Sequence, residues 1–149
     1  MQTQVDLSGG PSAAHAARSA VVSFAAALSD ALPEATVDDL KLLVSELVTN
    51  SIRHGGITER GLVSLRIRSL SGVVRVEVEN AGLGFEPHAP EAALDRTSGY
   101  GLVLVERLSR RWGVEGSDSV RVWFELAVPS ADQPISAGPV EEGLILEPA

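Results

Sequence analysis

The chain contains no cysteine and a single lysine, Lys41, so eleven of its twelve basic residues are arginine. The absence of thiols excludes disulfides, thiolate metal sites and cysteine nucleophiles. No apolar run approaches the ~20 residues that a membrane helix needs. The opening segment MQTQVDLSGG has neither the basic region nor the apolar stretch of a secretory signal. The expectation is a cytoplasmic protein with no membrane partner. Basic residues are also in deficit, 12 against 20 acidic, for a net charge of −8. So acidic a chain is ill suited to coating a duplex, because nonspecific nucleic-acid affinity comes from neutralising phosphates. A small anionic ligand stays open, since one site can be locally positive.

What is present is ordinary globular material. The 149 residues are 44% apolar and 21% charged, which suits one folded domain. A chain of this size buries roughly 68–70% of its unfolded surface. Residues 129–149 differ: they hold four of the eight prolines and four acids, Asp132, Glu141, Glu142 and Glu147, with no Lys or Arg. They read as an acidic, Pro-containing flexible tail whose one apolar segment is Leu144-Ile145-Leu146. Half of the net charge sits there. The expected boundaries are a domain over 1–128 and a tail over 129–149.

Hydrophobic periodicity orders the body. Gln2 to Leu7 alternates as a strand does. Ala-rich Ser12 to Ser29, with Val21, Phe24 and Leu28 at helical spacing, predicts a helix. A second helix runs from Pro33 to His54 with Val37, Leu40, Val44, Leu47 and Ser51 on one stripe, stopped by Gly55-Gly56. Leu62 to Arg68 and Val74 to Glu79 read as strands joined by the Ser71-Gly72 turn. Ala81 to Gly101 reads as a long loop with a helical turn near Glu91–Leu94. Leu102 to Trp112 reads as a helix, and Val114-Glu115-Gly116 with Val120 to Val128 as a closing hairpin. Helices and hairpins in separate blocks point to an α+β two-layer sandwich: a mixed, mostly antiparallel sheet with helices on one face.

Three segments carry the candidate chemistry. In Glu46-Leu47-Val48-Thr49-Asn50-Ser51-Ile52-Arg53-His54, Glu46 and Asn50 are four apart and share one helix face. A carboxylate beside a carboxamide suits oxygen coordination of Mg²⁺, or a base beside a metal ligand. Arg53 and His54 follow one turn later, within reach of a phosphate. The plain alternative is a solvated helix face. In Asn80-Ala81-Gly82-Leu83-Gly84-Phe85, two glycines let backbone approach a flat ligand and a polar side chain precedes them; the plain alternative is a Gly-rich turn. In Ser98-Gly99-Tyr100-Gly101-Leu102, a Gly-rich turn opens a helix, whose free N–H groups form an anion site; the plain alternative is a glycine cap.

The order of these pieces is more specific than any one of them. A helix bearing Glu-x-x-x-Asn, a strand ending in GxG, a loop, and GxG opening a helix resemble the ATP-binding domain shared by gyrase, the Hsp90 chaperone, sensor histidine kinases and MutL, the Bergerat or GHKL fold. The segments ELVTNSIRHGG, VEVENAGLGF, GYGLVLVERLSRRWGV and VWFELAVP look most like the small anti-sigma factor serine/threonine kinases and their actinobacterial relatives. The resemblance covers about residues 5–128. It implies ATP and Mg²⁺ as cofactors, a sigma factor held inactive, phosphorylation of an antagonist protein, and a homodimer. By the same resemblance, Asn50 binds Mg²⁺ and Glu46 orients or activates the attacking hydroxyl. Gly82 and Gly84 lie under the adenine, and Gly99 and Gly101 beneath the phosphates. The segment from Phe85 to Ser98 forms the ATP lid, and His54 closes the asparagine helix.

One position departs from the family. Where it carries an Asp that accepts from the adenine amino group, this chain has Asn80. Asn keeps a carbonyl acceptor but loses the charge, and charge-assisted bonds are roughly twice as strong as neutral ones. Glu79 would restore the acid only by turning to the other face of the strand. The alternative reading that follows from Asn80 is a regulatory ATP-binding or sequestering module with weak or no kinase activity. A third is a stand-alone ATP-binding protein with slow hydrolysis. A histidine kinase is disfavoured, since no phosphoacceptor helix pair precedes the domain and His15 reads as a surface or packing histidine.

Overall fold

The computed structural model describes residues 1–54, 61–80, 99–116 and 119–129, with His54 and residues 99–102 described by backbone alone. In chain order the elements are β1 (Gln2–Ser8), α1 (Ala13–Ala27), α2 (Glu34–His54), β2 (Leu62–Leu70), β3 (Val73–Asn80), α3 (Gly99–Leu108), β4 (Arg111–Glu115) and β5 (Arg121–Ala127). The five strands form one sheet in the order β1-β2-β3-β5-β4. Each described pairing is antiparallel, so the expected mixed sheet is antiparallel among the described residues. The α+β expectation holds, with α1 and α2 packed against one face of the sheet.

Alternation decides which residues face the helices. Val63, Leu65 and Ile67 of β2, Val74, Val76 and Val78 of β3, and Phe124 and Leu126 of β5 are all buried. They meet Ala13, Ala17, Val21 and Phe24 of α1, spaced at one helical stripe, and Leu40, Leu43, Val44, Leu47 and Val48 of α2. Fully burying each large apolar side chain contributes about 1.5–3 kcal/mol. Ser51, expected on the α2 stripe, and Val37 are only half-buried. The Ser71-Gly72 turn joins β2 to β3, with Gly72 at φ +76°, a left-handed conformation open to glycine without steric cost.

One sequence expectation fails. The helix expected from Leu102 to Trp112 runs from Gly99 to Leu108, and Arg111 to Glu115 is strand β4. The Arg110 N–H donates to the Glu125 carbonyl at 2.7 Å, so the backbone leaves the helix for the edge of β5. Trp112 then packs on the core side opposite Phe124. The helical turn expected near Glu91–Leu94 and the tail from residue 130 onward lie outside the described residues.

The other face of the sheet is a ladder of charge. Glu77 accepts from Arg66 at 3.0 Å, Arg68 at 3.4 Å and Arg75 at 2.8 Å; Glu125 accepts from Arg75 at 3.0 Å and Arg111 at 3.1 Å. Both glutamates are 6% exposed. The Trp123 indole lies over Gly113, where an added Cβ would sit 2.9 Å from its Nε1, and the Arg75 guanidinium stacks 4.1 Å from the ring centroid. Gly113 therefore gives the indole its seat.

These contacts set the acid sensitivity of the fold. Burial alone pushes the Glu77 carboxyl up, but the Arg75 hydrogen bond and the charges of Arg75, Arg66 and Arg68 outweigh it, so the group sits below its usual range. For Glu125 the Arg111 hydrogen bond is the leading cause, and with Arg75 it outweighs burial in the same downward direction. A carboxyl depressed in the folded state adds stability above its unfolded pKa of about 4.3, and that stability is lost as pH falls through the lower folded value. Melting temperature should be level above about pH 5.5 and fall below about pH 4.5. Glu77→Gln should melt lower at pH 7 and show a shallower acid decline; an identical decline in both proteins would exclude Glu77 as a source.

Candidate functional site

The described candidate residues gather at one end of the sheet. α2 finishes at His54 and β2 begins at Leu62, whose partner is Ser8 at the end of β1. Asn80, the last residue of β3, pairs with Val63 at that same end, and its N–H donates to the Val120 carbonyl at 3.0 Å. α3 packs against α2 and β4. Its far end leads into Arg110 and the Glu125 carbonyl, at the opposite end of the strands, which leaves Gly99 as the end further from that anchor.

Glu46 and Asn50 are both half-buried on α2. At 100° per residue, Asn50 lies about 20° from buried Leu43, at the margin of the core stripe, and Glu46 lies about 40° further out. Asn50 is thus less peripheral than the spacing suggested. Its Nδ2 is fully buried and finds no hydrogen-bond partner among the described residues. An unsatisfied buried donor costs about 1–3 kcal/mol, so Nδ2 has capacity to donate to one further acceptor. Among the described residues no cluster of three or more His, Cys, Asp or Glu is placed to hold a metal.

Arg53 is exposed and borders a cavity of about 210 Å³ with Gly9, Gly10, Pro11 and Thr49, on the α1 side of α2. It points within about 20° of Glu46, two turns along, and about 60° from Asn50. The side chain of His54 lies outside the described residues, as do Gly82, Gly84 and Ser98 entirely. Gly99, Tyr100, Gly101 and Leu102 form the first turn of α3, so both glycines lie inside the helix and supply its unpaired N–H groups; their side chains are not described.

β3 separates two neighbouring polar residues. Asn80 is 2% exposed on the helix side. Glu79 is on the opposite face, accepting from Ser119 Oγ at 2.9 Å and paired with Arg121 at 3.6 Å. The acid at 79 is therefore engaged away from α2. A larger groove of about 740 Å³, lined by residues such as Leu28, Leu32, Leu70 and Pro129, sits at the far end of the sheet and contains none of the candidate residues. Sequence reasoning missed the arginine–glutamate ladder as a structure, although the Arg-x-Arg and Arg-x-Glu-x-Glu alternation of β2 and β3 signalled it.

With this geometry in place, comparison with known proteins defines the class. Residues 7–124 match the family model described as the histidine kinase-like ATPase domain. The chain belongs to that family, and its fold is of the GHKL type.

Among curated proteins, the chain is similar to the anti-sigma F factor of Clostridium novyi, 33% identical over 111 residues, spanning 68% of this chain and 76% of that one. It is 40% identical to the anti-sigma F factor of Clostridium acetobutylicum over 70 residues, 47% of this chain and 48% of that one. In structure it resembles the RsbU and RsbW domains of a Mycobacterium tuberculosis protein, with TM-score 0.67, 17% identity, and coverage of 91% of this chain and 35% of that one. No described helix is long and apolar enough to cross a membrane.

Asn80 offers a direct test of nucleotide readout. Adenine presents an amino donor, and a carboxylate can only accept. Asn80→Asp should tighten ATP several-fold, on the order of the 1 kcal/mol that separates neutral from charged hydrogen bonds. GTP affinity should not change. The nucleotide-free variant should melt lower, since it buries a carboxylate on the helix side of β3. Parallel calorimetric titrations with the two nucleotides check this; no change for either would leave Asn80 a strand-end residue without a role in adenine binding.

Proposed function

We propose that this protein is an ATP- and Mg²⁺-dependent serine/threonine kinase of the anti-sigma type, cytoplasmic and homodimeric. It would sequester a sigma factor and phosphorylate a small antagonist protein. The feature that supports this reading is the half-buried carboxamide of Asn50, whose Nδ2 is buried without a hydrogen-bond partner among the described residues, one turn from Glu46 on a helix that packs against both β3 and α3. The anti-sigma F relatives support the choice of partner class.

In this reading Asn50 Oδ1 holds Mg²⁺, which neutralises charge on the phosphates when bound. The first-turn N–H groups of α3, from Gly99 to Leu102, receive phosphate oxygens, an arrangement favoured by the helix dipole. Asn80 reads the adenine edge from the floor of the site, with Gly82 and Gly84 beneath the ring. Arg53 and His54 stand at the end of α2 for phosphate charge. A substrate serine or threonine oxygen bonds to the terminal phosphorus as the bond to ADP breaks, and the hydroxyl proton passes to Glu46. Catalysis is then mostly positioning and electrostatics.

The second reading, a sequestering module with weak or no transfer, is favoured by Asn80 alone. Incubation with labelled ATP and candidate antagonists separates the two. Labelled antagonist supports the kinase; sigma capture without labelling supports the module. Neither outcome would leave a stand-alone ATP-binding protein.

Two substitutions test the assigned roles. Asn50→Ala should abolish Mg²⁺-dependent nucleotide binding. It should change stability by no more than about 1 kcal/mol, because it removes an unsatisfied amide together with a half-buried side chain. Mg-ATP affinity equal to wild type would remove Asn50 from the site. Glu46→Gln should leave nucleotide affinity nearly intact and slow transfer by roughly 10²–10⁴-fold, the worth of a general base. Equal single-turnover rates would make Glu46 a structural residue.

A further inference from the structure

At the end of the sheet away from Asn80, the link between α1 and α2, the β2–β3 turn and the segment after β5 together border a groove of about 740 Å³. Its apolar walls are Leu28 and Leu32 from the link, Leu70 and Val73 from either side of the turn, and Val128 with Pro129. Leu28, Leu32 and Val128 are half-buried and rest on the core, while Leu70 is 44% exposed. A contiguous apolar surface of this kind is seldom left uncovered unless something binds there. The volume falls within the ~300–1,000 Å³ range of clefts that enclose a ligand.

We propose that Leu144-Ile145-Leu146 of the C-terminal tail docks in this groove of its own chain. The backbone leads there. The Val128 N–H donates to the Gly72 carbonyl at 2.9 Å, which ties the start of the tail to the β2–β3 turn. Pro129, on the groove wall, is the last described residue before the tail. Residues 130–143, fourteen in number, then separate it from Leu144. A linker of that length has a root-mean-square span on the order of 20 Å, more than the width of a groove of this volume, so the segment turns back into it without stretching the chain. Tethering gives an effective concentration in the mM range for short linkers. A contact too weak for separate molecules is therefore populated within one chain.

Composition selects the segment. Leu144 to Leu146 is the one run of three large apolar residues in 130–149, and it is bounded by Glu141-Glu142 and Glu147. Among the described residues of the groove only Asp30 is charged. The flanking acids stay at the rim in water while the aliphatic side chains enter. Asp30 repels those acids, and salt screens the repulsion. Docking therefore strengthens with salt, the opposite of a contact held by ion pairs. The groove contains none of the residues of the kinase reading, so the inference stands apart from it.

The lack of cysteine allows a single nitroxide to be attached at Gly143→Cys in the full chain. Amide signals of Leu32, Gly72 and Val128 should broaden, and those of Val63 and Asn80 at the other end of the sheet should not. The broadening should grow from about 50 mM to about 1 M salt, where the Debye length is about 3 Å. Leu144→Ser with Leu146→Ser should lower the docked population at least about tenfold, and Leu70→Asp on the groove wall should do the same. Thermal melts confirm that each variant is folded. No broadening, broadening that survives either change, or broadening that weakens with salt would overturn the proposal. A mixture of nitroxide-bearing chain with isotope-labelled chain lacking it identifies the source. Broadening in that mixture would show the segment coming from a second copy and overturn docking within one chain; its absence supports it.

Discussion

A slip of one residue between β3 and its neighbours would drive Arg75, Glu77 and Glu79 into the core and turn Val74, Val76 and Val78 out to water. The rest of the molecule depends on that register. It fixes the helix-facing surface as a continuous apolar layer for α1 and α2. It also assembles the opposite surface, where two nearly buried glutamates survive only because arginines from β2, β3 and β4 converge on them. Removing one arginine would strand part of a buried charge, which costs more than an exposed pair is worth. The ladder therefore enforces alignment as much as it stabilises.

The same parity places the candidate chemistry. Because side chains alternate, Asn80 faces the helices and Glu79 faces the arginines. α2 extends the logic: its buried stripe fixes the helix on the sheet, and the half-buried positions beside the stripe, Glu46 and Asn50, inherit that rigidity. A polar amide at the margin of a packed core gains a fixed direction without full desolvation. Sites built on such elements hold their geometry better than sites on loops.

Much of this was legible in the chain. The alternation of β1, β2 and β3 and the 3.6-residue stripes of α1 and α2 are strong periodic signals, and the structure follows them within two residues at each end. The Arg110–Trp112 segment was misread because Val105, Leu108 and Trp112 continue a helical spacing. Only the tertiary hydrogen bond from Arg110 to the edge of β5 decides for a strand. In the site, spacing alone revealed that Glu46 and Asn50 share a face. It did not reveal the buried amide of Asn50, because burial there depends on how elements distant in sequence pack around α2.

Trp123 has an optical consequence. The chain has two tryptophans, and adjacent strands place them on opposite faces. Trp112 is packed on the core side, while Trp123 stands among guanidiniums on the charged side. Their emission therefore samples two environments of one sheet, the first responding to loss of the core and the second to whatever alters the polar surface. Replacing either with phenylalanine would isolate the other, so the protein carries an intrinsic fluorophore on each side of its sheet.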